Sequence, residues 1–167
     1  MTRTYLILFF LLLLVSACRQ KNKLYSYNFD DIDLYNDHAT IVKKQLAHSG
    51  EKCVLLTREN KYGPTFSGKI EEFGSGNISS IKVSAWVRSY SKASRVQIVC
   101  SIDRGDSTVY RETIDNSTVV SNSGEWKKIE GEFDISRFND PQNKLNIYPF
   151  FAGEEDVNLD DLEFSFE

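Results

Sequence analysis

Ile81-Lys82-Val83-Ser84-Ala85-Trp86-Val87-Arg88-Ser89-Tyr90 alternates without a break. Ile81, Val83, Ala85 and Val87 take one side, and Lys82, Ser84, Trp86, Arg88 and Tyr90 take the other. Successive side chains of an extended chain point to opposite faces, so this period predicts a β-strand with one apolar and one mixed face. An amphipathic helix would instead repeat its apolar residues three and four apart.

The same period continues outward in both directions. Ser94 to Ile102 sets Val96, Ile98, Cys100 and Ile102 on one side. Asp103-Arg104-Gly105-Asp106 has the composition of a hairpin turn and leads into a strand from Thr108 to Ile114. Asn122-Ser123-Gly124 turns into a strand from Trp126 to Ile135, and Pro141 marks a loop. Lys144 to Phe151 and Val157 to Phe166 follow, separated by Gly153-Glu154-Glu155-Asp156. Toward the N-terminus, a strand is predicted from Phe66 to Phe73 after a Gly63-Pro64 loop, and another from Lys52 to Thr57 after Ser49-Gly50. Leu24 to Phe29 alternates aromatic and polar residues and stops at Asp30-Asp31. Asp33 to Gln45 fits neither period and reads as a short helical turn or an irregular loop. Many short strands bounded by turn residues predict an all-β, antiparallel β-sandwich, with no internal repeat and no second domain.

The first residues differ in kind. Arg3 is followed by an apolar run to Val15, about ten residues at its core, the length of a secretory leader rather than a membrane span. Val15-Ser16-Ala17-Cys18 closes it. This resembles the lipobox of bacterial lipoproteins, in which cleavage precedes the cysteine and lipid, palmitate included, is attached to it. The resemblance implies a signal peptide over 1–17, lipidation at Cys18, a polar tether over 18–23 and the sandwich domain over 24–167. The other reading is a plain signal peptide or short anchor with a chance cysteine. Arg19 to Lys23 has nothing to bury and reads as a solvated linker. No Asp follows Cys18, which by the same resemblance directs the protein to the bacterial outer membrane, facing the periplasm, with surface exposure left open.

The chain has 167 residues, with 20 basic and 24 acidic side chains and a net charge of −4. That balance lacks the basic surface of a nucleic-acid-binding protein. The remaining cysteines, Cys53 and Cys100, sit in apolar alternating runs. They read as two buried thiols or as a disulfide permitted by an oxidising compartment. No second Cys or His stands at metal-ligand spacing beside them.

Five short pieces then fall into order: Phe29-Asp30; Ala47-His48-Ser49-Gly50-Glu51-Lys52-Cys53-Val54-Leu55; Ser84-Ala85-Trp86-Val87-Arg88; Gly124-Glu125-Trp126-Lys127-Lys128; and Val157-Asn158-Leu159-Asp160-Asp161-Leu162. Together they resemble the jelly-roll carbohydrate-binding modules of xylanases and glucanases, within the galactose-binding-like sandwiches. The resemblance implies a jelly roll and a structural calcium ion, with Asp30 and Asp160 supplying carboxylates and Lys52 a backbone carbonyl. Calcium takes six to eight hard oxygens, so the residue types suit it. The alternative is that Asp30 and Asp160 are turn-flanking surface acids.

Sugar binding in such modules uses aromatic rings on a concave sheet, because a pyranose offers an apolar C–H face to a ring. The ligand-binding expectation is Trp86, Arg88 and Tyr90 on one strand face, joined by Tyr110, Tyr148 and Tyr62 from neighbouring strands or a loop. Trp86 also reads as core, as does Trp126. No paired carboxylates stand out among Glu71, Glu72, Glu112, Glu130 and Glu132, and only His38 and His48 are available for nucleophile activation, so no enzyme is expected. Two functions follow as expectations: a membrane-anchored lipoprotein that binds a polysaccharide or other glycan, or a structural adaptor lipoprotein that binds an envelope protein.

Overall fold

The structure, a computed structural model, describes residues 24–31, 41–44, 46–74, 78–115, 117 and 123–167, with backbone alone for 41–44. The leader, Cys18, the tether and His38 lie outside the described residues.

The strands are β1 Leu24–Tyr27, β2 Ile41–Lys44, β3 Lys52–Leu56, β4 Phe66–Lys69, β5 Ser80–Ser89, β6 Val96–Arg104, β7 Ser107–Asp115, β8 Trp126–Asp134, β9 Lys144–Phe151 and β10 Val157–Phe166. They form two sheets. The first has the order β2-β3-β10-β5-β8, with β1 also on β10; the second has the order β4-β9-β6-β7. All the pairings are antiparallel. The domain is an antiparallel β-sandwich, as the alternation predicts, with the jelly-roll arrangement that the resemblance implies.

The opening stretch behaves as its pattern requires. Ile81, Val83, Ala85 and Val87 are buried, while Trp86 and Arg88 are only partly covered on the outer face. The inner stripe meets Ile98, Cys100 and Ile102 of β6 and Leu145 and Ile147 of β9 in one core. Each such aliphatic side chain contributes about 1.5–3 kcal/mol by leaving water. An aromatic cluster seals the end near β1: Tyr25 stacks on Phe164 at 5.2 Å and meets Phe66 edge-on at 5.4 Å.

β10 lies at the centre of the first sheet. One side pairs with β5; the other pairs with β3 over Val157–Leu159 and with β1 over Leu162–Ser165. Between Asp160 and Glu163 it gains a residue over the facing Trp86–Ser84 segment, and Asp161 there has φ 46°. This bulge shifts the buried alternation from Val157 and Leu159 to Leu162, Phe164 and Phe166.

Two expectations change, and one left open is decided. The strand predicted from Phe66 to Phe73 ends at Lys69 and continues as a 3₁₀ turn, Ile70–Glu72. Its amides donate to the loop carbonyls of Asn143 and Pro141 instead of to a neighbouring strand. Within the unassigned stretch 33–45, residues Ile41–Lys44 form β2, because the edge of β3 is available to pair with them. Cys53 and Cys100 are buried thiols and not bridged to one another. The register explains this: Cys100 faces the core, whereas Cys53, between core residue Val54 and partly exposed Lys52, lies on the opposite side of β3 from Val54.

Candidate functional site

The three residues expected around calcium do converge, on the turn 48–52. Phe29 has φ 60° and drops its ring into the core, which swings Asp30 back toward that turn. Asp30 Oδ1 accepts hydrogen bonds from the amides of Glu51 (2.8 Å) and Lys52 (2.9 Å). Gly50 has φ 62°, and a Cβ there would stand 2.1 Å from Asp30 Oδ2, so this approach requires glycine. On the other side, fully buried Asp160 accepts the amides of His48 (2.7 Å) and Ser49 (3.2 Å) on Oδ2 and that of Asp161 (2.8 Å) on Oδ1. Burial pushes the Asp160 carboxyl above the ordinary carboxylate range; the amide bonds pull against it, and Asp161 adds to the rise. The bulge brings the Asp161 carboxylate to the same turn, where Oδ2 is 2.6 Å from His48 Nδ1 and Oδ1 accepts the Ser49 hydroxyl.

These residues do not fit a calcium ion. Their carboxylate oxygens face N–H donors, and the Lys52 ammonium donates to the Asp30 carbonyl at 2.6 Å. Lys52 therefore brings a cation where the expectation asked it for an oxygen. Among the described residues no group of three or more His, Cys, Asp or Glu side chains could hold a metal. The alternative of turn-flanking surface acids is also corrected for Asp160, which is 0% exposed and ties two strands to a turn.

The expected sugar-binding residues divide between two sheets. Trp86, Arg88 and Tyr90 share the outer face of the first sheet. Trp86 is partly buried because the His48 ring stacks on it at 3.9 Å and 15°, and Trp126 meets the same ring edge-on at 5.7 Å. Tyr148 and Tyr62 lie on the outer face of the second sheet. Tyr110 joins neither: it pairs with Ile102 on the inner side, packs its ring 5.0 Å from Phe138 and donates its hydroxyl to Glu112. Burial and then the Glu112 bond push its phenol well up.

On the second sheet, residues 61–63 run beside the end of β9. Gly63 N donates to Pro149 O (2.9 Å), Phe151 N donates to Lys61 O (2.7 Å), and Tyr62 bridges to Phe150. Pro149 has no amide to give, and Gly63 approaches it so closely that a Cβ would lie 2.9 Å from its ring. Tyr62 is thereby set 6.0 Å from Tyr148 and 5.1 Å from Phe150 while 58% exposed. Polar side chains continue the row. Ser67 Oγ donates to Asn146 Oδ1 (2.7 Å), and Asn146 Nδ2 donates to Asp103 Oδ2 (2.9 Å). Beyond them is a shallow depression of about 570 Å³ lined by Ser67, Lys69, Asp103, Gln142 and Lys144. From Phe150 to Lys144 this face runs roughly 20 Å. Phe150, Asn146 and Asp103 were absent from the sequence expectation. Asn146, Tyr148 and Phe150 are nonetheless out of phase with buried Leu145, Ile147 and Phe151, a signal available in the sequence.

Lys128 neighbours Glu130 at 3.8 Å on an exposed ladder, and Glu112 takes the Tyr110 hydroxyl.

The fold is a jelly-roll sandwich, and it is similar to that of solved carbohydrate-binding modules. The tandem family 22 carbohydrate-binding modules of Paenibacillus barcinonensis xylanase 10C match with TM-score 0.60 and 13% identity, over 90% of this chain and 51% of that one. The C-terminal family 22 module of Clostridium thermocellum xylanase 10B matches with TM-score 0.55 and 12% identity, over 90% of this chain and 87% of that one. A two-module structure of that xylanase, the family 22 module with its GH10 module and xylohexaose, matches with TM-score 0.52 and 13% identity over 86% of this chain. This chain spans 26% of that structure. No family profile and no curated relative matches the sequence.

Proposed function

We propose that this domain is a non-catalytic polysaccharide-binding module that holds its ligand along the outer face of the β4-β9-β6-β7 sheet. The observation that carries the reading is the exposed Tyr62 ring beside Tyr148, continued by the bonded polar side chains of Asn146, Ser67 and Asp103. Aromatic faces take the C–H faces of sugar rings, and pre-oriented polar groups take hydroxyls. The structural neighbours include modules named for xylan binding, which makes xylan the first ligand to try. In this reading Cys18 carries lipid and holds the module at the bacterial outer membrane, and the 48–52 junction works without calcium.

The test is affinity electrophoresis of the protein in gels containing xylan and other neutral polysaccharides, with Tyr62→Ala and Tyr148→Ala variants. Retardation that both variants weaken supports the reading. No retardation on any neutral polysaccharide, or retardation untouched by both variants, overturns it.

A further inference from the structure

Arg88 stands apart from the other cations of the domain. On the outer face of the first sheet it lies between Trp86 and Tyr90 along β5, opposite Trp126 of β8 and Asn158 of β10. Its guanidinium carbon is 5.2 Å from the centroid of the Tyr90 ring. Tyr90 is 58% exposed and rests on Gly124, where an added Cβ would come within 2.3 Å of the ring. Trp86 is held flat beneath His48.

Around this aromatic frame the polar groups are incomplete. Arg88 has no carboxylate partner among the described residues, although the chain has 24 acids, and its Nε is buried without an acceptor. The acid beside Trp126, Glu125, is engaged by Lys127 at 3.0 Å. Asn158, directly across from Arg88, is 5% exposed, and its Oδ1 is buried without a donor. A partly buried cation lacking an anion, next to a buried acceptor lacking a donor, costs the free domain stability. Arginine makes its strongest contacts bidentately with carboxylates, and the exposed part of the Tyr90 ring suits the C–H side of a pyranose. A sugar ring that bears a carboxylate meets both needs at once.

We infer that the outer face of the first sheet is a second glycan site, selective for acidic, uronate-containing polysaccharide, with Arg88 on the carboxylate and Tyr90 under the ring. The inference rests on the polysaccharide-binding reading in kind, but it shares no residue with the Tyr62–Tyr148 face.

The experiment is titration of the protein with polygalacturonate and, separately, xylan, at low and high salt. Arg88→Met and Tyr90→Ala should each weaken polygalacturonate binding about tenfold or more. Arg88→Lys should lose part of it, because it keeps the charge without the planar fork, and salt should weaken the wild type. The Tyr62→Ala/Tyr148→Ala double variant should bind polygalacturonate normally. Should Arg88→Met fail to fold, Arg88→Lys and Tyr90→Ala carry the test. No binding of polygalacturonate, binding unchanged by Arg88→Met, or binding abolished only by the Tyr62/Tyr148 pair overturns the inference. So does Arg88-dependent binding to phosphatidylglycerol vesicles in the absence of polygalacturonate binding. Polygalacturonate binding without any neutral-polysaccharide binding would overturn the first site while leaving this one.

Discussion

The His48 ring lies flat on Trp86, 3.9 Å between centroids, with its Nδ1 2.6 Å from Asp161 Oδ2. One side chain from the 48–52 turn thus caps a tryptophan of β5 and binds the bulge of β10. His48→Ala removes a stacked pair worth about 0.5–1.5 kcal/mol and a partly exposed hydrogen bond worth about 1 kcal/mol. Urea unfolding should show a loss of about 1.5–2.5 kcal/mol, with a change in tryptophan emission as Trp86 becomes wet. Unchanged emission would contradict the cap.

Asp160 holds the same turn from below. Asp160→Asn replaces one carboxylate oxygen by a donor, so the remaining oxygen can serve the amides of His48 and Ser49 or that of Asp161, but not both. At about 1–3 kcal/mol for a stranded amide, the expected loss is at least about 1–3 kcal/mol by denaturant unfolding. Exposed Asp31, changed to Asn as a control, should move stability by no more than about 0.5 kcal/mol.

Lys52 in place of a metal makes a separate prediction. Its ammonium sits on the Asp30 carbonyl, so chelator or added calcium should leave the melting temperature unchanged. Lys52→Met should lower stability by about 1–2 kcal/mol, the value of a partly buried charged hydrogen bond. A melting shift with chelator would restore the calcium reading.

For the second sheet, truncating Tyr62 or Tyr148 should cost affinity without costing the fold. A stacked aromatic contact of about 1–2 kcal/mol corresponds to roughly 5- to 30-fold weaker binding. Because Tyr62 is 58% exposed, its removal should leave the unfolding midpoint near wild type.

Burial pushes the Cys100 thiol up to about 12, and the Glu112 carboxylate adds to the rise. The neutral thiol is the form the fold favours. At pH 8 only about one Cys100 in ten thousand is then the reactive thiolate. Iodoacetamide at pH 8 should leave Cys100 unmodified in the native protein and label it once urea unfolds the chain; labelling of the native form would contradict this burial.

The period of two made most of the sandwich legible, because alternation reports which side chains a sheet buries. Ile81 to Val87 needed no other information. β2 was not legible, since its existence depends on a free edge of β3 rather than on its own pattern. Nor was the fate of Tyr110. An aromatic on an edge strand looks the same whether it faces the core or water, and only the pairing with Ile102 decides. The shared face proposed for six residues split because strand order, which places β5 and β9 in different sheets, leaves no trace in alternation. The junction of Asp30, Lys52 and Asp160 was readable as a meeting point, but not its chemistry, since a lysine can lend either its carbonyl or its ammonium.

The central place of β10 sets an order of events. β5 on one side, and β3 and β1 on the other, find their common neighbour only in β10, the last of the strands among the described residues. Before β10 is made, β2 with β3, β5 with β8, and β1 are three separate pieces of the first sheet, and the contacts that join them are among the most distant in sequence. Pairings of that kind form late and slowly. The first sheet therefore stays open until β10 has been made, whichever of its other strands are already present.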